Sequence, residues 1–138
     1  MIAHSDWKHD DVYEGVAENG NTLLFDADSA HKEGPSPMEA VLMALCGCTS
    51  VDVVSILKKK RQPLTLLRVS AVAEQASTPP RVFTKIMLTY AVSGKLSREA
   101  VEHAVALSKE KYCSVSLMLE KAAEIDYEIV FVDGEPDA

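Results

Sequence analysis

The three cysteines are the residues of this 138-residue chain with the clearest chemical potential. Cys46 and Cys48 lie in an apolar run, PMEAVLMALCGCTSVDVVSIL, and Cys113 stands between a charged turn and a second apolar run. A thiolate is a nucleophile and a metal ligand, so each cysteine is a candidate for a reactive site. Residues 46 and 48 of a helix point about 200° apart. We therefore expect no bond between them and no metal site built from the cysteines and a histidine.

Cys48 lies on a mostly apolar helical face. Its neighbours there are Val41, Ala44, Leu45 and Asp52. An isolated helical cysteine with such neighbours is typically a packing residue, because free cysteine is among the most buried residue types. Cys46, whose face carries Ser50 as its polar neighbour, is predicted to be such a residue. Whether Cys48 only packs or also reacts stays open on the local sequence.

Cys113 has a different setting, because it follows Lys109-Glu110-Lys111 and directly precedes a predicted helix. At a helix N-terminus, backbone N–H groups and the positive end of the helix dipole stabilise a thiolate. We therefore predict a lowered pKa for Cys113, to which Lys111 would add. The alternative is that Ser114 caps the helix and Cys113 merely packs, and the local sequence does not decide between the two.

The elements that must position these cysteines are predicted in the order β-β-α-β-β-α-α-β. Asn19-Gly20 predicts a hairpin turn. Ser36, Pro37 and Glu39 form a capping box with a proline at the first helical position, which predicts a helix to about Lys60. The other predicted elements are strands at Asp11–Ala17, Asn21–Ala27, Leu64–Gln75, Arg81–Val92 and Ile125–Val132, helices at Ser97–Lys109 and Ser114–Ala123, and a frayed tail at Asp133–Ala138. Alternation in the fourth strand places Val82, Thr84, Ile86, Leu88, Tyr90 and Val92 on one face.

Trp7 is a candidate for an earlier, sixth strand. With it, this order predicts a single α+β domain over residues 1–138, with a largely antiparallel sheet of about six strands around a long central helix. From Ala40 to Cys48 that helix is apolar on every side, so it should be buried all round. One sheet covers only one side of a helix. We therefore expect a homodimer in which a second subunit supplies the missing cover.

Composition and charge limit the classes of molecule that this protein is expected to bind. A net charge of −7, from 21 acidic and 14 basic residues, argues against nucleic acid and anionic membranes, which are bound mainly by clustered Lys and Arg. The basic cluster at residues 58–61 comes where the long helix should end, and cations there complement the helix dipole. The N-terminus shows no signal-peptide pattern, and the apolar stretch carries Thr49, Ser50, Asp52 and Ser55. We therefore expect a cytoplasmic protein with free thiols and no membrane span.

Two separated motifs, PSPMEAVLMALCGCTSVDVVSIL and SKEKYCSVSLMLEKA, resemble those of the OsmC/Ohr family of thiol peroxidases, the osmotically inducible and organic hydroperoxide resistance proteins. The resemblance is closest to the YhfA-like branch and extends over nearly the whole chain. It implies that Cys48 reacts with the peroxide and that Cys113 resolves the product. It also implies an intertwined homodimer with an apolar interface pocket for organic hydroperoxides, a dithiol as reductant, and no cofactor.

The chain departs from the family pattern at two places. The family's active-site glutamate directly follows the motif proline, where this chain has Met38; Glu39 comes one residue later and points about 100° away. The family's catalytic arginine lies in the loop before the helix, here Asp26–Ser36, which contains none. His31 and Lys32 are the candidate substitutes. Because arginine lowers the thiol pKa and binds the peroxide oxygens, its absence weakens the expectation of fast peroxidase chemistry.

Two functions are therefore open. In the first, Cys48 reduces a lipophilic hydroperoxide and Cys113 converts the product to a disulfide. In the second, the dimer binds a small hydrophobic or thiol-containing ligand in the same pocket without turnover. In either case the expected neighbours of the pocket or of the thiol's helix face are Met38, Glu39, Leu45 and Asp52.

Overall fold

A computed structural model describes residues 1–132, so the predicted frayed tail lies outside the described residues. The chain divides into two compact units, Met1–Met43 and Ala44–Ala138. The boundary falls within helix α1 (Pro37–Lys59).

The first unit contains a three-stranded antiparallel sheet in the order β1-β2-β3. Its strands are β1 (Ala3–His9), β2 (Val12–Ala17) and β3 (Thr22–Asp26). The predicted hairpin is confirmed between β2 and β3. Gly20 adopts a φ of 91° there, a conformation that glycine reaches without a steric penalty, and its N–H donates to the Ala17 carbonyl oxygen at 2.9 Å.

Helix α1 begins at the predicted capping box. The Glu39 N–H donates to Ser36 Oγ at 3.1 Å, and the Ser36 N–H donates to the Glu39 carboxylate at 2.9 Å. The hydrogen bond from the Ser36 N–H holds the pKa of Glu39 below its ordinary value. Lys58 and Lys59 lie in the last turn, where the sequence predicted that cations would meet the negative end of the helix dipole.

The second unit contains the rest of α1 and a mixed three-stranded sheet in the order β4-β5-β6. Its further elements are β4 (Leu64–Gln75), β5 (Phe83–Gly94), α2 (Arg98–Leu107), a π-helical turn (Ser108–Tyr112, the π-turn), α3 (Ser114–Leu119) and β6 (Glu124–Phe131). The α+β class with antiparallel-rich sheets is confirmed. The strands form two sheets of three rather than one of six, and β6 runs parallel to β5 because the helical segment between them crosses back along the sheet.

The inward face of β5 carries Ile86, Leu88, Tyr90 and Val92, all at 0% exposure, as predicted. The prediction that Val82 and Thr84 share this face is wrong, since both are exposed. The pairing with β4 shifts between Glu74 and Gln75, which inserts one extra residue into β5. Such a bulge breaks the alternation, so Phe83 is buried there instead.

Helix α1 buries one row of side chains in a single chain. The row is Leu45, Thr49, Val53 and Leu57, at successive i+4 positions. Met43 and Val51, on the opposite face, are 56% and 68% exposed, so a single chain does not bury the helix all round, and the cover expected from a second subunit stays a prediction. By length and composition α1 is the one helix within residues 1–132 that could span a bilayer, a test that core helices also pass.

Candidate active site

Cys48 and Cys113 meet in the second unit. The Cys48 side chain lies close enough to the Cys113 thiol to help raise its pKa, and all three cysteines are free thiols. Cys113 is 0% exposed, whereas Cys48 is half-buried. Leu45 and Asp52, the predicted neighbours of Cys48, lie about one turn from it on α1; Leu45 is fully buried and Asp52 half-buried. A reagent arriving from solvent therefore reaches Cys48 more readily than Cys113.

Cys113 is the N-cap of α3, because its Sγ accepts a hydrogen bond from the Ser116 N–H at 3.4 Å. The alternative in which Ser114 is the cap is therefore wrong. The predicted lowering of the pKa is also wrong: burial raises the pKa of Cys113 to about 11, and the Cys48 contact and the Asp52 charge add to the rise. Complete desolvation outweighs one N–H of a short helix. Cys113 therefore keeps its proton at neutral pH.

Cys46 is the third thiol and belongs to a different face of α1, about 200° from Cys48. It is half-buried, and burial raises the pKa of its thiol. Its carbonyl oxygen accepts a hydrogen bond from Ser50 Oγ at 2.6 Å. These features are those of a packing residue, as the sequence predicted.

A chain of buried hydroxyl groups runs between α1, β5 and the π-turn. Thr49 Oγ1 lies 2.7 Å from both Tyr90 Oη and Ser108 Oγ, and Ser108 Oγ donates to Asp52 Oδ2 at 2.9 Å. Each hydroxyl has one proton, so the donation to Asp52 requires Thr49 to donate to Ser108 and Tyr90 to donate to Thr49. Burial raises the pKa of Tyr90 to about 12, which keeps it a donor. Hydrogen bonds aligned in one direction reinforce one another.

Sequence reasoning missed Thr49, Tyr90 and Ser108 and kept only Asp52 as a candidate. Thr49 gave a signal, because it is a polar residue within an apolar run. Ser108 gave none, since a serine near the end of a predicted helix is ordinary. The π-turn brings it into the site: the Cys113 N–H donates to the Ser108 carbonyl oxygen at 2.7 Å and so closes a turn one residue wider than a helical one.

The remaining predicted site residues belong to the first unit. His31 Nδ1 lies 2.8 Å from the Asp26 carbonyl oxygen, and His31 Nε2 lies 3.8 Å from the Glu39 carboxylate. His31 and Glu39 are thus brought together, and Glu39 is also engaged in the helix cap. Met38 is half-buried and Lys32 is exposed. The roles of His31 and Lys32 as arginine substitutes stay predictions.

Within residues 1–132, no group of three or more His, Cys, Asp and Glu side chains is placed to hold a metal ion.

The architecture is that of OsmC-like proteins. A family model described as "OsmC-like protein" matches residues 30–128. A solved OsmC-like protein from Mycoplasma pneumoniae superposes with a TM-score of 0.82 at 15% identity, covering 95% of this chain and 96% of that one. An organic hydroperoxide resistance protein, OsmC, from Legionella pneumophila superposes at 0.70 with 15% identity, covering 94% and 95%.

The chain belongs to the OsmC-like family, as its two cysteine motifs predicted. It is similar to the protein YhfA of Escherichia coli (strain K12), with 47% identity over 133 residues, which cover 94% of this chain and 98% of YhfA.

The raised pKa of Cys113 predicts a loss of stability at alkaline pH. The thiol of the unfolded chain titrates near its ordinary value of 9.0, and that of the folded protein near 11. Between these values the unfolded state binds fewer protons, so the free energy of unfolding falls as the pH rises, by roughly 1–3 kcal/mol for this one buried group. Urea denaturation of reduced protein from pH 8 to 11 measures the fall, which should be smaller in Cys113→Ala. Parallel curves for the two proteins would contradict the assignment.

Proposed function

We propose that this protein reduces organic hydroperoxides, with Cys48 as the attacking thiol and Cys113 as the resolving thiol. The observation that carries the proposal is the proximity of a half-buried Cys48 to a fully buried, protonated Cys113. This arrangement gives the two sulfurs different roles, because only one can meet a substrate while the other waits beside it. The Legionella pneumophila relative, named for organic hydroperoxide resistance, supports the substrate class.

The first step is a nucleophilic displacement on the peroxide. The Cys48 thiolate attacks the terminal oxygen of the hydroperoxide, the O–O bond breaks, and the alkoxide leaves and takes a proton from solvent. Sulfur is oxidised by two electrons to a sulfenic acid, and the peroxide is reduced to an alcohol. Cys113 keeps its proton and lies beside Cys48, so its S–H is available to donate to the Cys48 thiolate, and hydrogen bonds to a charged acceptor are stronger than neutral ones.

The second step joins the two sulfurs. Cys113 attacks the sulfenic sulfur of Cys48, its proton leaves with the hydroxide as water, and a disulfide forms. Because Cys113 keeps its proton to a pKa of about 11, proton transfer to the departing oxygen accompanies the attack rather than precedes it. A dithiol then reduces the disulfide by exchange and restores both thiols.

The surroundings of Cys48 on α1 favour a lipophilic hydroperoxide. Ala44 and Leu45 flank the thiol on the N-terminal side, and the run is apolar for most of its length. The alkyl or aryl group of an organic hydroperoxide gains free energy from contact with such a surface, whereas hydrogen peroxide has no apolar group to bury.

The proposal includes a homodimer in a reducing cytoplasm. Met43, Gly47 and Val51 form one exposed row of α1 at i+4 spacing, opposite the buried row. Apart from the helix itself, a Cβ at Gly47 would meet no described atom within 4 Å, and an exposed helical glycine costs about 1 kcal/mol relative to alanine. A partner surface that approaches this row closely would explain both the glycine and the exposed apolar side chains. Three free cysteines fit a reducing compartment, and the net charge of −7 does not suit nucleic acid or anionic lipid.

A second candidate function follows from Glu39 and the loop before α1. Glu39 is engaged by Ser36 and His31, and residues 26–36 hold no arginine. A site without these groups keeps its apolar surface and its thiols, and it suits binding of a small hydrophobic or thiol-containing ligand without useful turnover.

One equivalent of cumene hydroperoxide added to reduced protein tests the proposal. We expect two of the three thiols to be lost and a Cys48–Cys113 disulfide to form, because these two thiols are neighbours and Cys46 lies on another face of α1. Thiol titration and peptide mapping measure the result. Three reduced thiols after exposure to the peroxide would favour the binding function, and oxidation of Cys46 would reject the assignment of the pair.

A further inference from the structure

We infer that Ser108 is a positioning residue that holds Cys113 against Cys48 for disulfide closure. The inference deepens the proposed function and rests on it for its biological purpose. Ser108 is 0% exposed and opens the π-turn that leads to Cys113. It is hydrogen-bonded both to α1, which carries Cys48, and to the backbone of Cys113.

The side chain of Ser108 binds the helix of the attacking thiol. Its Oγ lies 2.7 Å from Thr49 Oγ1, next in sequence to Cys48, and donates to Asp52 Oδ2 at 2.9 Å. Asp52 is one helical turn beyond Cys48. Thr49 is also hydrogen-bonded to Tyr90 on β5, so this part of α1 is linked to the sheet as well as to Ser108.

The main chain of Ser108 is hydrogen-bonded to Cys113, the residue that carries the resolving thiol. Its carbonyl oxygen accepts the Cys113 N–H at 2.7 Å. Three hydrogen bonds from one buried residue therefore connect α1 to the backbone of Cys113. The usual helical pattern would pair that N–H with residue 109, so the π-turn is the feature that places the anchored serine and Cys113 together.

Disulfide closure is sensitive to this connection because its geometry is narrow. The Cβ atoms must come to about 3.5–4.5 Å and the S–S torsion to about 90°. Cys48 is fixed on a long helix, so the approach depends on where the π-turn holds Cys113. An orienting group of this kind raises the effective concentration of one reactant beside the other.

Ser116 is a matched control for Ser108. Both serines are buried, Ser116 at 1% and Ser108 at 0% exposure, and both lie within five residues of Cys113. Ser116 Oγ has no hydrogen-bond partner among the described residues, and the Ser116 N–H that donates to Cys113 Sγ survives replacement by alanine. Ser108→Ala removes the link to α1, and Ser116→Ala removes only a buried hydroxyl.

The test compares full-length Ser108→Ala, Ser108→Thr and Ser116→Ala with the parent. Glutathione redox titration gives the effective concentration of Cys113 toward Cys48, and single-turnover oxidation with trapping of sulfenic acid separates attack from closure. For Ser108→Ala we expect attack within about 2-fold of the parent, and closure and the effective concentration lowered about 10-fold or more. Ser116→Ala should match the parent, and Ser108→Thr should recover most of the loss because it keeps the hydroxyl.

The two readouts separate this inference from the proposed function. If the parent does not react with peroxide but Ser108→Ala still lowers the glutathione-based value, the peroxidase proposal fails and the positioning role stands. If Ser108→Ala matches Ser116→Ala in both readouts, the positioning role is overturned. Should Ser108→Ala not fold, the isosteric Thr49→Val removes one bond to Ser108, and parental closure in that variant would equally overturn the inference.

Discussion

Cys48→Ser is expected to abolish the consumption of organic hydroperoxide. A serine hydroxyl is far less nucleophilic than a thiolate and has no sulfenic acid to form. Cys113→Ser should still permit one turnover, which ends at a sulfenic acid or at over-oxidised Cys48, because only the closing step is lost. Cys46→Ser should leave the chemistry intact and cost no more than about 1–3 kcal/mol of stability, because the new hydroxyl would be only half-buried.

Stopped-flow oxidation of these variants and the parent with cumene hydroperoxide and with hydrogen peroxide, from pH 6 to 9, measures these outcomes. The parent should react faster with the organic peroxide and more slowly than relatives that carry the family arginine and glutamate. If the oxidation rate of the parent depends less steeply on pH than that of these relatives, His31 or Lys32 assists the reaction of Cys48. If the parent reacts with the peroxide no faster than free cysteine does, the ligand-binding function is favoured. If Cys113→Ser loses the first turnover, Cys113 rather than Cys48 is the attacking thiol.

Val51→Glu is expected to convert the protein to a monomer. Val51 is 68% exposed in the single chain, so a carboxylate there is solvated in a monomer and does not disturb its core. In the proposed dimer the same side chain would be buried against the partner, where an unpaired charge costs several kcal/mol. Light scattering at micromolar concentration should therefore give the dimer mass for the parent and the monomer mass for the variant.

Val72→Glu is the control for this substitution. Val72 lies on β4 and is 74% exposed, and the same exchange there should leave the dimer mass unchanged. A monomeric parent with a cooperative thermal transition would contradict the dimer. Dissociation by Val72→Glu alone would place the interface on β4 rather than on α1.

The features that the sequence determined depend on residues close together in the chain. The start of α1 follows from Ser36 and Glu39, which bond to each other across three residues whatever the rest of the fold does. The hairpin follows from the conformational freedom of Gly20, and the helix that begins after Cys113 follows from the apolar run there. The family likewise could be recognised, because each of its two cysteine motifs is contiguous.

The tertiary structure decided the features that depend on residues far apart. The bulge that turns Val82 outward comes from the register between β4 and β5. The hydroxyl chain joins Thr49 to Tyr90 and to Ser108 across 41 and 59 residues, which no local pattern indicates. Cys113 is the clearest example of what the local sequence could not predict. Its place at the start of a helix was predictable, but its pKa was not, because the sign of the shift depends on how completely distant elements exclude water from the sulfur, and that desolvation outweighs the nearby N–H.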